Sequence, residues 1–515
     1  MQELKVISNH LDDLSTLASP GERNFVEENY AEAVKFFRKP AEEGNARAQY
    51  VLAVCYFHGE GLKQNFVEAT LWCLKSAEQG YAPAQAFLGN FYYEGQGVEQ
   101  NYTEAAKWFR KAAEQGYAQA QQSLAVCYEH GEGVEQNMVE AALWCLKAAK
   151  QGDVKAQLSL ADWYCTGKCV EQNHAEAATW YRKAAEQGNA RAQYELGLFY
   201  EYGTGVEQNY AEAVKWFREA AEQGVALAQC GLGFCYYTGR GVEENETEGV
   251  KWIRQAAEQG VSRAQYQLGL FYEYGIGVEK NEVEAAKWLM KAAEQGVAQA
   301  QCRIGFYYRT GRGVEKNYGE AAKWFRKAAE EGVVQAQFEL GFFYENGVGV
   351  EPDFVEAVNL YRKAASQGHS GAHFALGNCY EYGVGVKQDY EEATRHYQKV
   401  FERKASQDEY WLDDLTEYLS SAGLEQVYQQ ASVQENADAQ TILGYCYFHG
   451  VGGVEKNYSE AVKWYKKAAN QGFASAQYLL AGCYYEGLGV ENNLTEALKL
   501  FRMVAEQVET QVKKI

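Results

Sequence analysis

The sequence lacks any run of about 18 apolar residues, the length that a helix needs to span a membrane. Its N-terminus, MQELKVISNHLDDLSTLASPGER, has no apolar segment of signal-peptide length and carries acidic residues where one would need Leu or Val. We therefore expect no membrane span and a cytoplasmic location. Export by a pathway that does not depend on an N-terminal signal peptide stays open as the alternative.

The chain is also poor in basic residues. It has 49 Lys and Arg against 70 Asp and Glu, which gives a formal net charge of −21 at pH 7. Charge of this size and sign keeps a long, aromatic-rich surface soluble and repels phosphate backbones. Nucleic acid is therefore excluded as an expected partner.

Common catalytic signatures are missing as well. The sequence has no H-E-x-x-H, S-x-x-K, G-x-S-x-G or Walker pattern, so we predict no catalytic residue, no cofactor and no metal site. Unusual polar residues gather in one neighbourhood, at Asp162, Cys165, Cys169 and His174. A redox or metal role of the Cys165/Cys169 loop stays open as an alternative function, although no C-x-x-C accompanies it.

The chain is rich in repetition. An Ala-Gln pair recurs every 36 residues from Ala48 to Ala336, continues as Ala-His at Ala372, and resumes at Ala439 and Ala476. The last interval is 37 residues because the segment 450–453 carries one extra residue. A period of this length is typical of stacked helical repeats.

The segment Asn189–Gly224 represents the repeat. Ala192, Leu196, Phe199 and Tyr200 follow the spacing of one helical stripe, which predicts a first helix, the A helix. This helix ends at Gly203, and the turn Gly203-Thr204-Gly205-Val206 follows, where glycines can take positive φ.

The second half of the repeat predicts another helix, the B helix. Asn209 lies three residues before Glu212, which predicts a capping box in which the Asn oxygen caps the helix and the Glu returns to the cap's N–H. Gly224 is placed to end this helix in the left-handed conformation. Two short helices with one apolar stripe each cannot bury it alone, so neighbouring repeats must stack.

The combined pattern A-Q-x-x-L-G-x-x-Y-x-x-G-x-G-V and E-A-x-K-W-x-x-K-A-A-x-Q-G resembles the Sel-one-like repeat (SLR) family, a branch of the tetratricopeptide-like (TPR-like) repeats. The resemblance implies an all-α fold, a right-handed α/α superhelix (solenoid) of about 13–14 helix-turn-helix repeats. It also implies a protein–protein interaction scaffold that binds a protein or peptide segment. Because hydrolytic and penicillin-binding activity is associated with cysteine-rich relatives, an enzyme stays open as the alternative.

The departures from this pattern predict the domain boundaries. We expect an N-terminal cap or degenerate helix at 1–28, a repeat array at 29–403, a degenerate repeat at 404–436, two further repeats at 437–506, and a tail at 507–515. The degenerate repeat lacks the glycine turn and the capping box, which predicts a bend there. Pro40 lies inside the first B helix and is expected to bend it.

The twelve cysteines are interpreted as buried free thiols. Six of them share one A-helix position with large aromatic residues such as Phe199, and a position shared in this way belongs to a core. No repeat carries a regular pair of cysteines, so disulfides are not expected.

In TPR-like repeats one face of the A helix lines a concave groove, and transferring that geometry predicts the binding site. The hypothesis is a groove of aromatic and apolar residues across the fifth to tenth repeats, with Glu201, Glu273 and Glu345 on its edge favouring a basic partner. The predicted binding residues are Tyr194, Leu198, Tyr202, Phe234, Tyr266, Leu270, Tyr274, Phe306, Phe338, Phe342, Phe374 and Tyr382.

The alternative is that these side chains pack between neighbouring A helices and present no open groove. The two are distinguished by replacing Phe306 and Phe342 with Ala, because loss of binding without loss of stability indicates a groove. The sequence does not predict the oligomeric state or the identity of the partner.

Overall fold

The computed structural model describes residues 30–389 and 453–512, together with residues 391–393, 395, 396, 399, 427–429, 431–433 and 435–451. These residues form α-helices joined by short turns, and no strand occurs among them. The prediction of an all-α fold of paired helices, repeating about every 36 residues, is confirmed. The N-terminal cap at 1–28 and most of the degenerate repeat lie outside the described residues, so these boundaries stay predictions.

The helices are numbered in chain order and alternate between the two types. The A helices are α2 (Ala46–His58), α4 (Ala82–Glu94), α6 (Ala118–His130), α8 (Val154–Thr166), α10 (Ala190–Tyr202), α12 (Ala226–Thr238), α14 (Ser262–Tyr274), α16 (Ala298–Thr310), α18 (Val334–Asn346), α20 (Ser370–Tyr382), α21 (Ala437–His449) and α23 (Ala474–Glu486). The B helices are α1 (Tyr30–Glu42), α3 (Phe66–Glu78), α5 (Tyr102–Glu114), α7 (Met138–Lys150), α9 (His174–Glu186), α11 (Tyr210–Glu222), α13 (Glu246–Glu258), α15 (Glu282–Glu294), α17 (Tyr318–Glu330), α19 (Phe354–Ser366), α22 (Tyr458–Asn470) and α24 (Leu494–Val512).

We number a repeat by its A helix and the B helix that follows, so the first repeat begins with α2 and the twelfth with α23. In the tenth repeat, helical residues at 391–393, 395, 396 and 399 follow α20. The chain divides into two compact units, Met1–Gln259 and Gly260–Ile515. Pro40 lies inside α1, which has 13 residues like most of the other B helices.

The predicted cap of the B helix is confirmed in the fifth repeat, with one detail corrected. The Asn209 side chain accepts hydrogen bonds from the N–H groups of Ala211 and Glu212, as predicted. The N–H of Asn209, however, donates to Tyr200 O at 2.9 Å, so the predicted return bond from Glu212 is wrong. The backbone bond to Tyr200 ties the turn to the A helix and uses the donor that a capping box would require.

The second turn glycine of the fifth repeat is required for two reasons. Gly205 has a φ of 68°, and a Cβ atom there would lie 2.3 Å from the backbone carbonyl of His174 in the preceding B helix.

The eleventh repeat has one extra residue in its turn, yet Asn457 N still donates to Tyr447 O at 2.7 Å. The turn thus absorbs the extra residue and returns the chain to the same hydrogen bond.

The core lies between each B helix and the next A helix. In the first unit, Phe217 of α11 packs against Leu232 and Cys235 of α12. In the second unit, Phe325 of α17 packs in the same way against Phe343 of α18. Burying each such side chain contributes about 1.5–3 kcal/mol, so neighbouring repeats hold each other in place.

Glutamines form a second connection between helices, which we call the glutamine ladder. In the fifth repeat, Gln193 Nε2 donates to Ala185 O in the preceding B helix at 3.2 Å, and Gln193 Oε1 accepts from Gln223 Nε2 at 2.6 Å. Each A-helix glutamine therefore links the ends of two B helices. Equivalent pairs are Gln49/Gln79, Gln85/Gln115, Gln121/Gln151, Gln157/Gln187, Gln229/Gln259, Gln265/Gln295, Gln337/Gln367, Gln440/Gln471 and Gln477/Gln507.

The ladder is interrupted in the eighth repeat. Glu331 stands where ten of the other eleven repeats have the donor glutamine, and a carboxylate has no proton to donate. As a result Gln301 Oε1 is buried without a hydrogen-bond partner among the described residues. Gln301 Nε2 still donates to Ala293 O at 3.2 Å.

The prediction of buried cysteines is confirmed for ten of the twelve residues. All twelve thiols are free, ten of them are buried, and only Cys165 and Cys169 are partly exposed. Burial raises the pKa of Cys235 to about 12, because a thiolate is poorly solvated inside the core. These buried cysteines therefore act as small apolar core residues.

Candidate functional site

The predicted binding residues lie on one stripe of the A helices. In α10 this stripe contains Arg191, Tyr194, Leu198, Glu201 and Tyr202, and we call it, with its equivalents in other repeats, the A face. Ala192, Leu196 and Phe199 of the core stripe are buried and Tyr200 is partly exposed, whereas every A-face position of α10 is partly or well exposed. The spacing of 3, 4, 3 and 1 residues keeps these side chains on one side of the helix.

The predicted residues divide into two groups by exposure. The exposed group has large aromatic side chains, with Tyr202 66%, Tyr274 59%, Phe342 42% and Tyr382 60% exposed. The half-buried group comprises Tyr194, Leu198, Phe234, Tyr266, Leu270, Phe306 and Phe338. The side chain of Phe374 lies outside the described residues.

The half-buried residues pack against the core. Phe306 contacts Phe325 edge-to-face with 5.1 Å between ring centroids. Phe338 lies 5.8 Å from Tyr361 by the same measure. In both cases the partner ring belongs to the B helix of the same repeat, so these side chains contribute to stability whether or not a ligand binds.

Tyr274 is held by an arginine that the sequence analysis did not single out. The Arg303 guanidinium lies over the Tyr274 ring, 5.3 Å from its centroid, and donates to the Tyr274 hydroxyl. Arg303 Nε also donates to Glu273 Oε2 at 2.8 Å. The Glu273 side chain is only 6% exposed, so the arginine compensates a buried carboxylate and fixes an exposed ring.

The same repeat supplies two more arginines to this network. Arg309 Nη1 donates to Glu339 Oε2 at 2.5 Å, and its guanidinium lies 4.8 Å from the centroid of Phe306. Arg312 Nη1 lies 3.4 Å from Glu273 Oε1. Burial raises the pKa of Glu339, and Arg309 acts in the opposite direction by favouring the charged form.

These pairs change the role of the acidic residues that were predicted to favour a basic partner. Glu273 is occupied by Arg303 and Arg312, and Glu345 Oε2 accepts a hydrogen bond from the Tyr361 hydroxyl at 2.6 Å. Both carboxylates therefore stabilise contacts within the protein. A preference for basic partners stays a prediction without support from these two residues.

Tyr202 differs from Tyr274 because the repeat that follows it has no arginine at the position equivalent to Arg303. The position equivalent to Arg303 is Gly231, which has no side chain to reach the Tyr202 ring. Tyr274 is thus clamped by the arginine of the following repeat, whereas Tyr202 at the equivalent position is not. The sequence shows Arg303 where the two preceding repeats have Gly and Gln. Its contact with Tyr274, 29 residues earlier, could not be predicted from that difference alone.

The unusual polar residues of the fourth repeat form a structural network. Arg191 Nη2 binds both oxygens of Asp162 at 2.8 Å, and the Tyr181 hydroxyl donates to Asp162 Oδ1 at 2.6 Å. Cys169 stands where other repeats have the second turn glycine, and its Sγ lies 3.4 Å from Met138 Sδ. Among the residues that the structure describes, no group of His, Cys, Asp and Glu could hold a metal ion.

Two clefts among the described residues lie away from the A face. A cleft of about 720 Å³ is lined by residues of α9, α10, α11 and the intervening turn, including Arg182, Tyr200 and Trp216. A similar cleft of about 500 Å³ contains Arg326 and Tyr344. The A face is therefore an extended surface whose side chains do not line these cavities.

A family model described as Sel1 repeat matches thirteen segments of the chain. The matched residues are 17–45, 46–81, 82–117, 118–153, 154–189, 190–225, 226–261, 262–297, 298–333, 334–369, 370–400, 437–473 and 474–508. A comparison with curated protein sequences gave no match. No described helix is both long enough and apolar enough to cross a membrane.

The solved structures that resemble the chain include two that are about one third identical to it in sequence. The protective antigen c5321 of uropathogenic Escherichia coli, described as displaying an SLR fold, is 33% identical with a TM-score of 0.68, over 94% of this chain and 97% of that one. A Sel1 repeat protein from Oxalobacter formigenes is 34% identical with a TM-score of 0.50, over 60% of this chain and 89% of that one.

Proposed function

The chain belongs to the Sel1 repeat family, and on that basis we propose that it is a non-enzymatic scaffold that binds a segment of another protein on its A face. The observation that carries this proposal is the row of exposed aromatic rings on the A helices of the second unit, Tyr274, Phe342 and Tyr382. Large aromatic side chains are enriched at binding hot spots and costly to leave in water.

The arginine contacts support binding by holding this surface in place before a ligand arrives. Arg303 fixes Tyr274 from the neighbouring repeat, and Arg502 Nη1 donates to the Tyr382 hydroxyl at 2.7 Å. A side chain that is already ordered loses less rotamer entropy when a partner binds, about 0.5–1.5 kcal/mol for each flexible side chain. A preordered aromatic surface therefore binds a partner more tightly than a mobile surface that makes the same contacts.

The partner is an extended or helical segment that presents aliphatic or aromatic side chains. The acidic A-face residues Glu273 and Glu345, and Glu339 beside the A face, are already paired within the protein, so the exposed part of this surface is mainly apolar. A basic segment, the other candidate from the sequence, would require free carboxylates at these positions.

The test is selection of peptides from a displayed library against the full chain, followed by binding measurements on two matched variants. Phe342→Ala removes an A-face ring that is 42% exposed, and Phe354→Ala removes a B-helix ring that is 47% exposed. We expect Phe342→Ala to weaken binding at least about ten-fold, while Phe354→Ala keeps it. Equal effects of the two variants, or no effect of Phe342→Ala, would argue against the A face.

The half-buried Phe306 gives a second comparison. Because its ring packs on Phe325, Phe306→Ala should lower the melting temperature, whereas Phe342→Ala should leave it almost unchanged. Replacing Phe306 and Phe342 together would therefore mix a loss of packing with a loss of binding. The two substitutions must be measured separately.

The redox or metal alternative at Cys165 and Cys169 gains no specific support. Burial raises the pKa of both thiols, which lowers the thiolate fraction that nucleophilic or metal-binding chemistry needs. Asp162, the nearby carboxylate, is engaged by Arg191 and Tyr181. No hydrolytic or penicillin-binding arrangement emerges from these residues.

A further inference from the structure

Three of the twelve A helices end in the residues Glu-Tyr, and we call each such end a Glu-Tyr pair. The pairs are Glu201/Tyr202 in α10, Glu273/Tyr274 in α14 and Glu381/Tyr382 in α20. In all three pairs the tyrosine ring is well exposed on the A face. Arginines of the same chain bind two of these pairs, and the third pair receives none from the repeat that follows it.

The two arginines make the same contacts with their Glu-Tyr pairs. Arg303 donates to the carboxylate of its pair at 2.8 Å and also to the tyrosine hydroxyl. Arg502 donates to the carboxylate of its pair at 3.2 Å and to the tyrosine hydroxyl at 2.7 Å. Arg303 lies in an A helix, 30 residues after its glutamate, whereas Arg502 lies in a B helix, 121 residues after its glutamate. Because two different kinds of helix supply the arginine, the pair recognises the guanidinium and not the helix that carries it.

The fifth repeat closely reproduces the seventh repeat but lacks its arginine. The helices α10 and α14, which carry the two pairs, differ at only two of 13 positions. The turn into the next A helix contains the same backbone hydrogen bond, donated by Val225 in one case and by Val297 in the other, at 3.1 Å in both. That next A helix has Arg303 after the seventh repeat and Gly231 after the fifth. The fifth repeat therefore has the same binding surface without an arginine from its neighbour.

A carboxylate at this position can accept more than one guanidinium. Glu273 accepts from Arg303 at 2.8 Å and from Arg312 at 3.4 Å. The equivalent of Arg312 after the fifth repeat is Arg240. Glu201 can therefore accept a hydrogen bond from an added arginine while Arg240 keeps the place of Arg312.

The charge around the fifth repeat also favours an added cation. One of the two differences between α10 and α14 is Glu195, which stands where α14 has Gln267. Burial raises the pKa of Tyr194, and Glu195 and Glu201 raise it further, so both carboxylates act on this part of the A face. Arg191, a cation of the same face, is already held at 2.8 Å by a carboxylate of the preceding repeat. The fifth repeat thus adds a negative charge at the place where it lacks the arginine.

We propose that Glu201 and Tyr202 form a binding site for an arginine side chain of a partner protein. The guanidinium would donate to the Glu201 carboxylate and to the Tyr202 hydroxyl, in the way that Arg303 binds its own pair. The proposal goes beyond the aromatic row of the second unit and rests on the proposed function only for the source of the arginine. A planar guanidinium suits a carboxylate beside an aromatic ring better than the compact ammonium of lysine does, so arginine is preferred over lysine.

Gly231→Arg is the decisive variant, because it supplies the arginine from within the chain and so occupies the site. An added Cβ at Gly231 meets the Phe217 ring at 3.3 Å, so a small shift of that ring admits the new side chain. Ser159→Arg is the matched control, since it adds the same charge at the equivalent position two repeats earlier.

The first measurement is saturation-transfer NMR of the full chain with two small probes, N-acetyl-arginine methylamide and its lysine counterpart. We expect the wild type and Ser159→Arg to bind the arginine probe at least about three-fold more tightly than the lysine probe. Gly231→Arg and Tyr202→Ala should lose this preference. Equal binding of the two probes by the wild type, or an unchanged preference in Gly231→Arg, would overturn the proposal.

The second measurement tests the source of the arginine by selecting peptides from a displayed library against the same proteins. Peptides retained by the wild type and by Ser159→Arg should be enriched in arginine over lysine, and peptides retained by Gly231→Arg should not. Binding of the arginine probe without this enrichment would show that a protein segment is the wrong partner. Loss of peptide binding in Phe342→Ala, together with an enrichment that Gly231→Arg does not change, would reject this site and keep the proposed function.

Discussion

The interrupted glutamine ladder leads to a prediction in which a single substitution stabilises the protein. Glu331→Gln would restore the missing donor, so that Gln301 Oε1, now buried without a partner among the described residues, gains a hydrogen bond. In the neighbouring repeat the intact pair, Gln367 Nε2 to Gln337 Oε1, measures 3.0 Å. The required geometry therefore already exists one repeat away.

The expected gain is the sum of two effects. A hydrogen bond to a buried, unsatisfied carbonyl is worth about 1 kcal/mol net, and leaving such a group unpaired costs about 1–3 kcal/mol. Glu331 is also the C-cap residue of α17, where a negative charge opposes the helix dipole by about 0.3–1 kcal/mol. We therefore expect Glu331→Gln to stabilise the eighth repeat by about 1–2 kcal/mol.

The assay must be local, because long repeat arrays do not unfold in a single step. Hydrogen exchange of α16 and α17 should slow about five- to thirty-fold for a gain of 1–2 kcal/mol. Glu330→Gln is the matched control, since it removes the same charge one residue away without entering the ladder. Gln367→Glu is the reverse control and should destabilise the ninth repeat by a similar amount.

The reasoning would be refuted if Glu331→Gln and Glu330→Gln slowed exchange equally, because the effect would then come from charge alone. It would also be refuted if Gln367→Glu left the ninth repeat unchanged. Either result would mean that the ladder contributes no net stability.

Two further predictions concern the turns and the thiols. Gly205→Ala should cost at least about 2 kcal/mol, because the added Cβ would collide with the His174 backbone at positive φ. At Gly224 an added Cβ has no atom within 4 Å, so Gly224→Ala should cost about 1 kcal/mol. Hydrogen exchange of α10 and α11 compares the two variants. Native maleimide labelling should modify Cys165 and Cys169 first and leave the ten buried thiols protected until denaturant is added. Rapid native labelling of a buried thiol would contradict the assigned core.

Local signals in the sequence predicted most of the fold. Asn209 as a cap, Gly203 as a left-handed end and Cys235 as a core residue each depend on a few neighbouring positions, and all three are confirmed. The capping box failed at one bond, because the carbonyl of Tyr200 competes for the same N–H. A backbone acceptor nine residues away leaves no trace in the pattern of side chains.

The site was harder to predict because its geometry depends on pairs of side chains from adjacent repeats. Phe306 and Phe342 occupy equivalent positions, yet one packs on Phe325 and the other is 42% exposed. The partners of Glu273 lie 30 and 39 residues further on, at Arg303 and Arg312. Helical periodicity assigns a residue to a face, but it does not show which neighbour reaches that face.

The extra residue in the eleventh turn has a consequence for engineering. Asn457 still reaches Tyr447 O, and the ladder pair Gln440/Gln471 keeps its 2.8 Å bond, so the added residue leaves both helices in register. The loop between the two helices of a repeat is thus the natural insertion point for a tag, an epitope or a fluorophore. An insertion inside either helix would instead rotate its apolar stripe out of the core, by about 100° for each added residue.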